Sequence, residues 1–350
     1  MGKSVATGFL IVGTIVGAGF VSGREILSFF GLGLSPWLAL VFAALVFLIS
    51  ALFLFIGSKT LAKNVSEVNV RLAGRFHVVA DIFLLVNSFI VLAGMLAATD
   101  SVAASFFTAV FGGSVPYIAS VSAGLLCAVV VCRGVKGLVS CNKFVVPVMA
   151  AALLFVCIYT AVTAAGGGSS ALRIPNFGAA LVYVCMNMVL ASTVVTTTGH
   201  MNIRTILLSS GIAGGLFGVL TLALICALNR YGDAATEMPV LEMAEAVHPA
   251  LYYGMLAVIA VSIFTTMLAA MNGLTAWLCG IFGNKFFTAL TVLTGGLILS
   301  NLGFSTVVTY LYPVIGVLGV AYVALGSVYA IRTLPVWKKI KKVRRITRKA

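Results

Sequence analysis

The sequence predicts an all-α polytopic membrane protein that crosses the bilayer ten times, and three observations carry that prediction. Apolar residue types make up 61% of the 350 residues and charged residues only 9%, whereas a soluble domain carries roughly 25% charged residues. Mean hydropathy is +1.17. The apolar residues are gathered into runs, most of them near or above the ~20 residues of one helical crossing, with short charged or Gly/Pro-rich breaks between. Soluble enzymes, fibrous chains and disordered chains are excluded. Ten crossings of about 20 residues each leave helix extensions and short loops but no soluble catalytic domain.

The runs fall near 4–30, 35–57, 77–110, 115–132, 142–165, 177–199, 205–229, 249–272, 286–300 and 305–331. The first and third exceed one straight crossing, so they must tilt, extend or break. The segment 230–248 is the acidic loop, with Asp233, Glu237, Glu242 and Glu245. Within it Met238, Leu241 and Ala244 recur at helical spacing, which predicts a short amphipathic helix over the outer face. The seven cysteines form no CxxC pair and have no accompanying histidine, so they read as packing residues. His77, His200 and His248 lie at loop edges and do not cluster. An intramembrane enzyme needs a His, Cys or carboxylate constellation at mid-depth, and none is visible.

Charge gives the orientation. The net charge is +14, but residues 338–350 alone hold eight Lys or Arg and no acid. With the N-terminus inside, 19 Lys or Arg fall on the cytoplasmic side and three, Arg24, Arg173 and Arg230, on the outer side. Both termini are therefore expected in the cytoplasm. The tail 333–350 is a polybasic segment directly after a span, which suits anionic lipid headgroups or a simple stop-transfer role, and no nucleic-acid partner is expected.

Residues 1–332 read as a single transmembrane domain. Ten spans with both ends inside divide into two sets of five, about 4–165 and 177–331, and the odd number makes any similarity between them an inverted repeat. Met95–Asp100 in span 3 weakly echoes Met267–Asn272 in span 8.

Span 1 carries the sharpest signal. Gly13, Gly17, Gly19 and Gly23 fall within eleven residues at mid-membrane depth. Each costs about 1 kcal/mol relative to Ala in a helix. Two readings compete: close helix packing, which Gly13/Gly17 and Gly19/Gly23 satisfy, and a discontinuous helix whose freed backbone binds an ion and a solute. The length of the run favours the second. Arg24 and Glu25 follow the glycines. They read either as a gate facing an aqueous vestibule or as markers of the outer interface.

In span 8, Ser262, Thr265, Thr266 and Ala269 share one small, hydroxyl-bearing helix face. In span 6, Asn187 and Ser192 are the polar groups near the centre, and no glycine falls within Tyr183–Ser192. Asp81 and Asp100 in span 3 are intramembrane acids, functional by default, with partnerships to Arg75 or Arg24 as the alternative.

Gly17-Ala18-Gly19-Phe20-Val21-Ser22-Gly23-Arg24-Glu25-Ile26, followed by Phe29-Phe30, resembles the signature of the YkvI family of bacterial membrane proteins. That family usually has Gln where this chain has Arg24. The resemblance implies the amino acid–polyamine–cation superfamily and its LeuT fold, with helices 1 and 6 discontinuous and facing each other. It places a sodium ion between span 1 and span 8, held by the carbonyls of Gly13, Val16 and Ser262 and the hydroxyls of Thr265 and Thr266. The candidate solute contacts are Thr14, Gly17, Ala18, Gly19, Phe20, Asn187 and Ala191, and the gate candidates are Arg24, Glu25 and Asp100.

The function so implied is secondary active transport of a small zwitterionic or cationic solute, an amino acid or related amine, by alternating access. It is expected in the bacterial cytoplasmic membrane, as a monomer or homodimer, with sodium as coupling ion and no other cofactor. Relatives that couple to protons place a Lys in mid-span 5; here Lys143 sits at the edge of that span. Proton coupling and a ligand-sensing subunit without transport are the alternatives. A channel is disfavoured because no filter sequence is present.

Overall fold

The computed structural model describes residues 2–111, 117–163, 176–231 and 238–333, and among them every extended element is a helix. Predicted span 1 is three pieces: α1 (Lys3–Ile15), α2 (Ala18–Val21) and α3 (Arg24–Phe30). Then come α4 (Trp37–Thr60), a short α5 (Val65–Ala73), α6 (His77–Phe111), α7 (Ile118–Val131) and α8 (Val135–Thr163). The second half holds α9 (Phe177–Val195), α10 (Ile203–Tyr231), α11 (Pro239–Val247), α12 (Pro249–Phe282) and α13 (Lys285–Ser300). The last span begins as α14 (Phe304–Thr306), passes through a π-helical turn at Val307–Leu311, and ends as α15 (Tyr312–Thr333).

Among the described residues, seven helical segments are long and apolar enough to cross a membrane, and three shorter apolar helices, Lys3–Ile15, Ile118–Val131 and Lys285–Ser300, fall on predicted spans 1, 4 and 9. The tail after Thr333, Arg173, Asp233 and Glu237 lie outside the described residues.

Span 1 sits at the centre. α1 packs on α8, α9, α10 and α12, and Leu10 to Val12 are fully buried. A helix hydrophobic all round is what such a position requires. Its neighbours close up through small residues: Gly214 and Gly218 of α10 lie so near Ala43 of α4 that a β-carbon at either has no room. α11 is the amphipathic helix expected over 230–248. Met238, Leu241 and Ala244 are its buried face, and its Val240 N–H donates to Ser22 O (3.0 Å).

Two expectations need correction. Helix 6 is not discontinuous: α9 runs unbroken from Phe177 to Val195. Gly178 lies in its first turn, and beyond it the stretch has no Gly or Pro, so its middle offers no inexpensive place to leave the helical ladder. The chain breaks only afterwards, through Thr196–Thr198 to Gly199 at φ +79°. Second, the charged break between predicted spans 2 and 3 is no plain loop. It carries α5, started by the Asn64 side chain, which accepts from Glu67 N–H (2.9 Å).

Candidate functional site

Span 1 breaks twice, for different reasons. The backbone ladder stops after Val16 N–H to Val12 O (2.8 Å) and restarts with Val21 N–H to Gly17 O (3.0 Å). Val16 (φ −93°, ψ 81°) and Gly17 (φ −91°, ψ −175°) are the non-helical joint. The ends it creates leave carbonyls on α1 and amides on α2 without intrahelical partners. The second break is the Ser22–Gly23 turn, where Gly23 has φ +82°, a conformation that glycine alone adopts readily.

The other three glycines are there for close approach rather than for positive φ. A β-carbon on Gly17 would lie 3.1 Å from Thr266 Oγ1, and one on Gly13 would lie 2.7 Å from the Asn142 amide carbon. One on Gly19 would collide with the Glu25 carboxyl. None of these three has a positive φ, so contact rather than backbone freedom calls for glycine there.

The first break meets α12. Ser262 Oγ donates to Val16 O (3.2 Å), and Thr265 Oγ1 donates to Ser262 O (2.9 Å). Thr266 Oγ1 is buried with no hydrogen-bond partner, beside Gly17. Ser262, Thr265 and Thr266 are all buried. Buried hydroxyls are rarely left unpaired, and a hard cation takes oxygen ligands of this kind. The set fits sodium. One detail differs from the expected ligands: the hydroxyl of Ser262, not its carbonyl, faces Val16.

Gly17 and Thr266 also line a small cavity of about 20 Å³ with Glu25, Asn187 of α9 and Tyr312 at the start of α15. A water needs about 10–15 Å³ of such space, so the cavity is contracted. Separate vestibules lie at either end. One of about 450 Å³ is lined by Glu242, Glu245, Ser101 and Ser105. The other, about 170 Å³, is lined by Lys63, Thr193, Asn272 and Lys285.

Glu25 is at the cavity, not in an open vestibule. Its side chain is 3% exposed, and it accepts from Tyr183 Oη (2.8 Å). The reason is local. The Gly23 turn redirects α3, and Gly19 has no side chain to keep the carboxyl out. Tyr183 is held by Phe42 (ring centroids 5.2 Å, stacked) and by Phe29 (5.1 Å) and Phe30 (6.0 Å) of α3. Such aromatic pairs contribute about 0.5–1.5 kcal/mol each beyond area burial. The phenylalanines thus fix the ring whose hydroxyl Glu25 accepts from.

The remaining predicted site residues are scattered. Thr14 Oγ1 donates to Leu10 O (2.8 Å), back along its own helix. Phe20 packs on Phe217 (4.9 Å) of α10. Ala18 and Ala191 are buried behind the cavity wall. Arg24 donates to Ser305 Oγ (3.3 Å) just before the π-helical turn, while Asp100 Oδ1 accepts from Ser120 N–H (3.2 Å) and ties α6 to the start of α7. The three gate candidates therefore meet three different partners.

Sequence reasoning missed Tyr183, Tyr312 and Asn142. A signal existed for the first: a buried phenol needs a partner, and Glu25 is the one acid of span 1. Asn142 is fully buried, its Nδ2 donating to Leu10 O (3.5 Å); it looked like an interface residue because α8 begins at Val135 rather than near 142.

No family model matches the chain. It is 26% identical over 344 residues to the uncharacterized protein YyaD of Bacillus subtilis (strain 168), covering 94% of this chain and 97% of that protein. To the uncharacterized membrane protein YkvI of the same organism it is 25% identical over 337 residues, covering 92% and 94%. Among solved structures, MhsT in complex with L-phenylalanine superimposes with TM-score 0.66 at 16% identity, covering 94% of this chain and 88% of that one. Mhp1, a nucleobase-cation-symport-1 family transporter, in a closed conformation with bromovinylhydantoin bound, gives TM-score 0.63 at 15% identity, covering 89% and 74%. The chain is thus similar to YyaD and YkvI along nearly its whole length, and it is a multi-pass membrane protein with the LeuT fold.

Proposed function

We propose that the protein is a secondary transporter, not an enzyme, that moves a small amino acid or related amine by alternating access with sodium as the coupling ion. One observation carries the reading. The Val16–Gly17 break faces Ser262 and the unpartnered hydroxyl of Thr266, beside a small cavity with separate pockets on either side along the helices. An ion bound there joins α1 to α12, and a solute in the cavity touches the same two elements. Binding of one therefore favours the arrangement the other needs, which is the reciprocity that coupling requires. Movement of α3 with Phe29 and Phe30 away from Tyr183 opens one end, and Arg24 on Ser305 latches that motion to the last span. Both termini sit in the cytoplasm of a bacterial cell, and the basic tail meets anionic lipid.

The test is transport in proteoliposomes. Radiolabelled sodium entry is measured with and without an external mixture of amino acids and small amines. Solute-stimulated sodium entry that disappears in Thr265→Val/Thr266→Ala supports the proposal. Solute uptake that follows a proton gradient and ignores sodium replaces the ion, and solute binding with no flux of either replaces transport by sensing.

A further inference from the structure

Resting on the transporter reading above, we propose that Glu25 recognises the solute and that the solute enters the cavity through a positively charged nitrogen, a primary ammonium group. The signature of span 1 puts Glu25 among the gate residues. Its side chain instead forms part of the wall of the central cavity, facing Asn187, Thr266 and Tyr312. A carboxylate has about four acceptor positions, and the hydrogen bond that Glu25 makes, from Tyr183 Oη, comes from a neutral donor. The cavity lining includes no Lys, Arg or His. A carboxylate taken from water without a counter-charge is costly. An ammonium group supplies both the charge and three N–H donors.

The surrounding acceptors suit that donor set. Thr266 Oγ1 lacks a partner, and the Tyr312 hydroxyl and Asn187 amide oxygen are near enough to share the same wall. The placement is built into the backbone: Gly19 is without a β-carbon where the carboxyl rests. Flexible Met95 and Met186 complete the wall, so the contracted space can enlarge around the rest of the solute. On the approach side, the larger vestibule carries Glu242 and Glu245, and acids lining a cleft raise the local concentration of cations. The inference is that the amine is required for recognition and a carboxylate on the solute is not.

The test uses the purified full chain at fixed sodium concentration, titrated separately with n-propylammonium chloride and with potassium propionate, with thermal unfolding as the readout. The ammonium salt should raise the unfolding midpoint of the wild type, and propionate should not. Glu25→Gln should raise the concentration for half the effect by about tenfold or more while the sodium-induced shift persists. Gly19→Ala, whose methyl displaces the carboxyl, should do the same and serves if the first variant folds poorly. A wild type that ignores the ammonium salt or responds to propionate instead overturns the assignment. So does a Glu25→Gln protein with the wild-type ammonium response. Loss of sodium response in the wild type, with the ammonium effect present and dependent on Glu25, strikes sodium coupling and leaves the role of Glu25 standing.

Discussion

Tyr183 donates its phenolic proton to the Glu25 carboxyl at 2.8 Å, and that bond fastens the outermost piece of span 1 to the middle of span 6. Both groups are buried, and the Tyr183 ring is packed by Phe29, Phe30 and Phe42. Tyr183→Phe keeps the ring and leaves a buried carboxyl without its donor. Such a loss costs about 1–3 kcal/mol. Tyr183→Ala removes the ring as well and should cost about 3–5 kcal/mol. Thermal unfolding of the two variants in detergent, ranked against wild type, checks the order; equal destabilisation by both would show that the hydroxyl carries the whole effect.

Gly17 and Gly23 should fail in different ways. Gly17 has a φ that alanine accepts, but its β-carbon would press on Thr266 Oγ1. Gly17→Ala should fold and lose its sodium-dependent stabilisation. Gly17→Ala/Thr266→Ala relieves the crowding and should recover stability without recovering sodium. Gly23→Ala meets a backbone at φ +82° and should lose about 1–2 kcal/mol through strain. Unfolding midpoints with and without sodium separate the three. A Gly17→Ala protein with the wild-type sodium shift would contradict the assignment of the break to the ion.

The sequence revealed the helical class, the positions of the runs and the break in span 1, because each is written in local chemistry: hydropathy, charge and glycine; α8 starts earlier, at Val135, and α12 runs further, to Phe282, than the runs predict. Asn142 and Tyr183 were hidden for a different reason. Each is an ordinary residue in an apolar run until the fold sets it against Gly13 or Glu25. Helix 6 shows the opposite case. A break was expected by resemblance to relatives, but Tyr183–Val195 contains no residue that makes unwinding easy, and α9 stays whole. Local composition outweighed the shared architecture there.

A second polar cluster holds α5 in place. Asp81 accepts from Ser66 Oγ and from Asn69 Nδ2, both at 2.6 Å, and Tyr322 Oη donates to Asn69 Oδ1 (2.9 Å). Asp81 is thus engaged structurally rather than by Arg75. Asp81→Leu strands the buried Asn69 amide, which should cost about 1–3 kcal/mol, and frees the half-buried Ser66 hydroxyl, which should cost less. Faster amide exchange confined to Val65–Ala73 and the start of α6 would confirm the role; unchanged exchange there would refute it.

Orientation is testable on exposed positions. In a cysteine-free background, Lys63→Cys and Lys136→Cys should resist an impermeant thiol reagent applied to intact cells, and Glu245→Cys should react. The three side chains are exposed, so a lack of labelling reads topology rather than burial. Reaction of Lys136→Cys from outside would invert the assignment made from the Lys/Arg distribution.

The central claim is that span 1 is broken in order to hold an ion against α12, and sodium-dependent stabilisation tests it most directly. The unfolding midpoint of the purified chain is measured in sodium chloride and in equimolar choline chloride, for wild type and for Thr265→Val/Thr266→Ala. The double variant removes two hydroxyls while nearly preserving volume. Sodium should raise the midpoint of the wild type and leave the double variant unmoved. A wild type indifferent to sodium, or a double variant that keeps the full shift, would contradict the account.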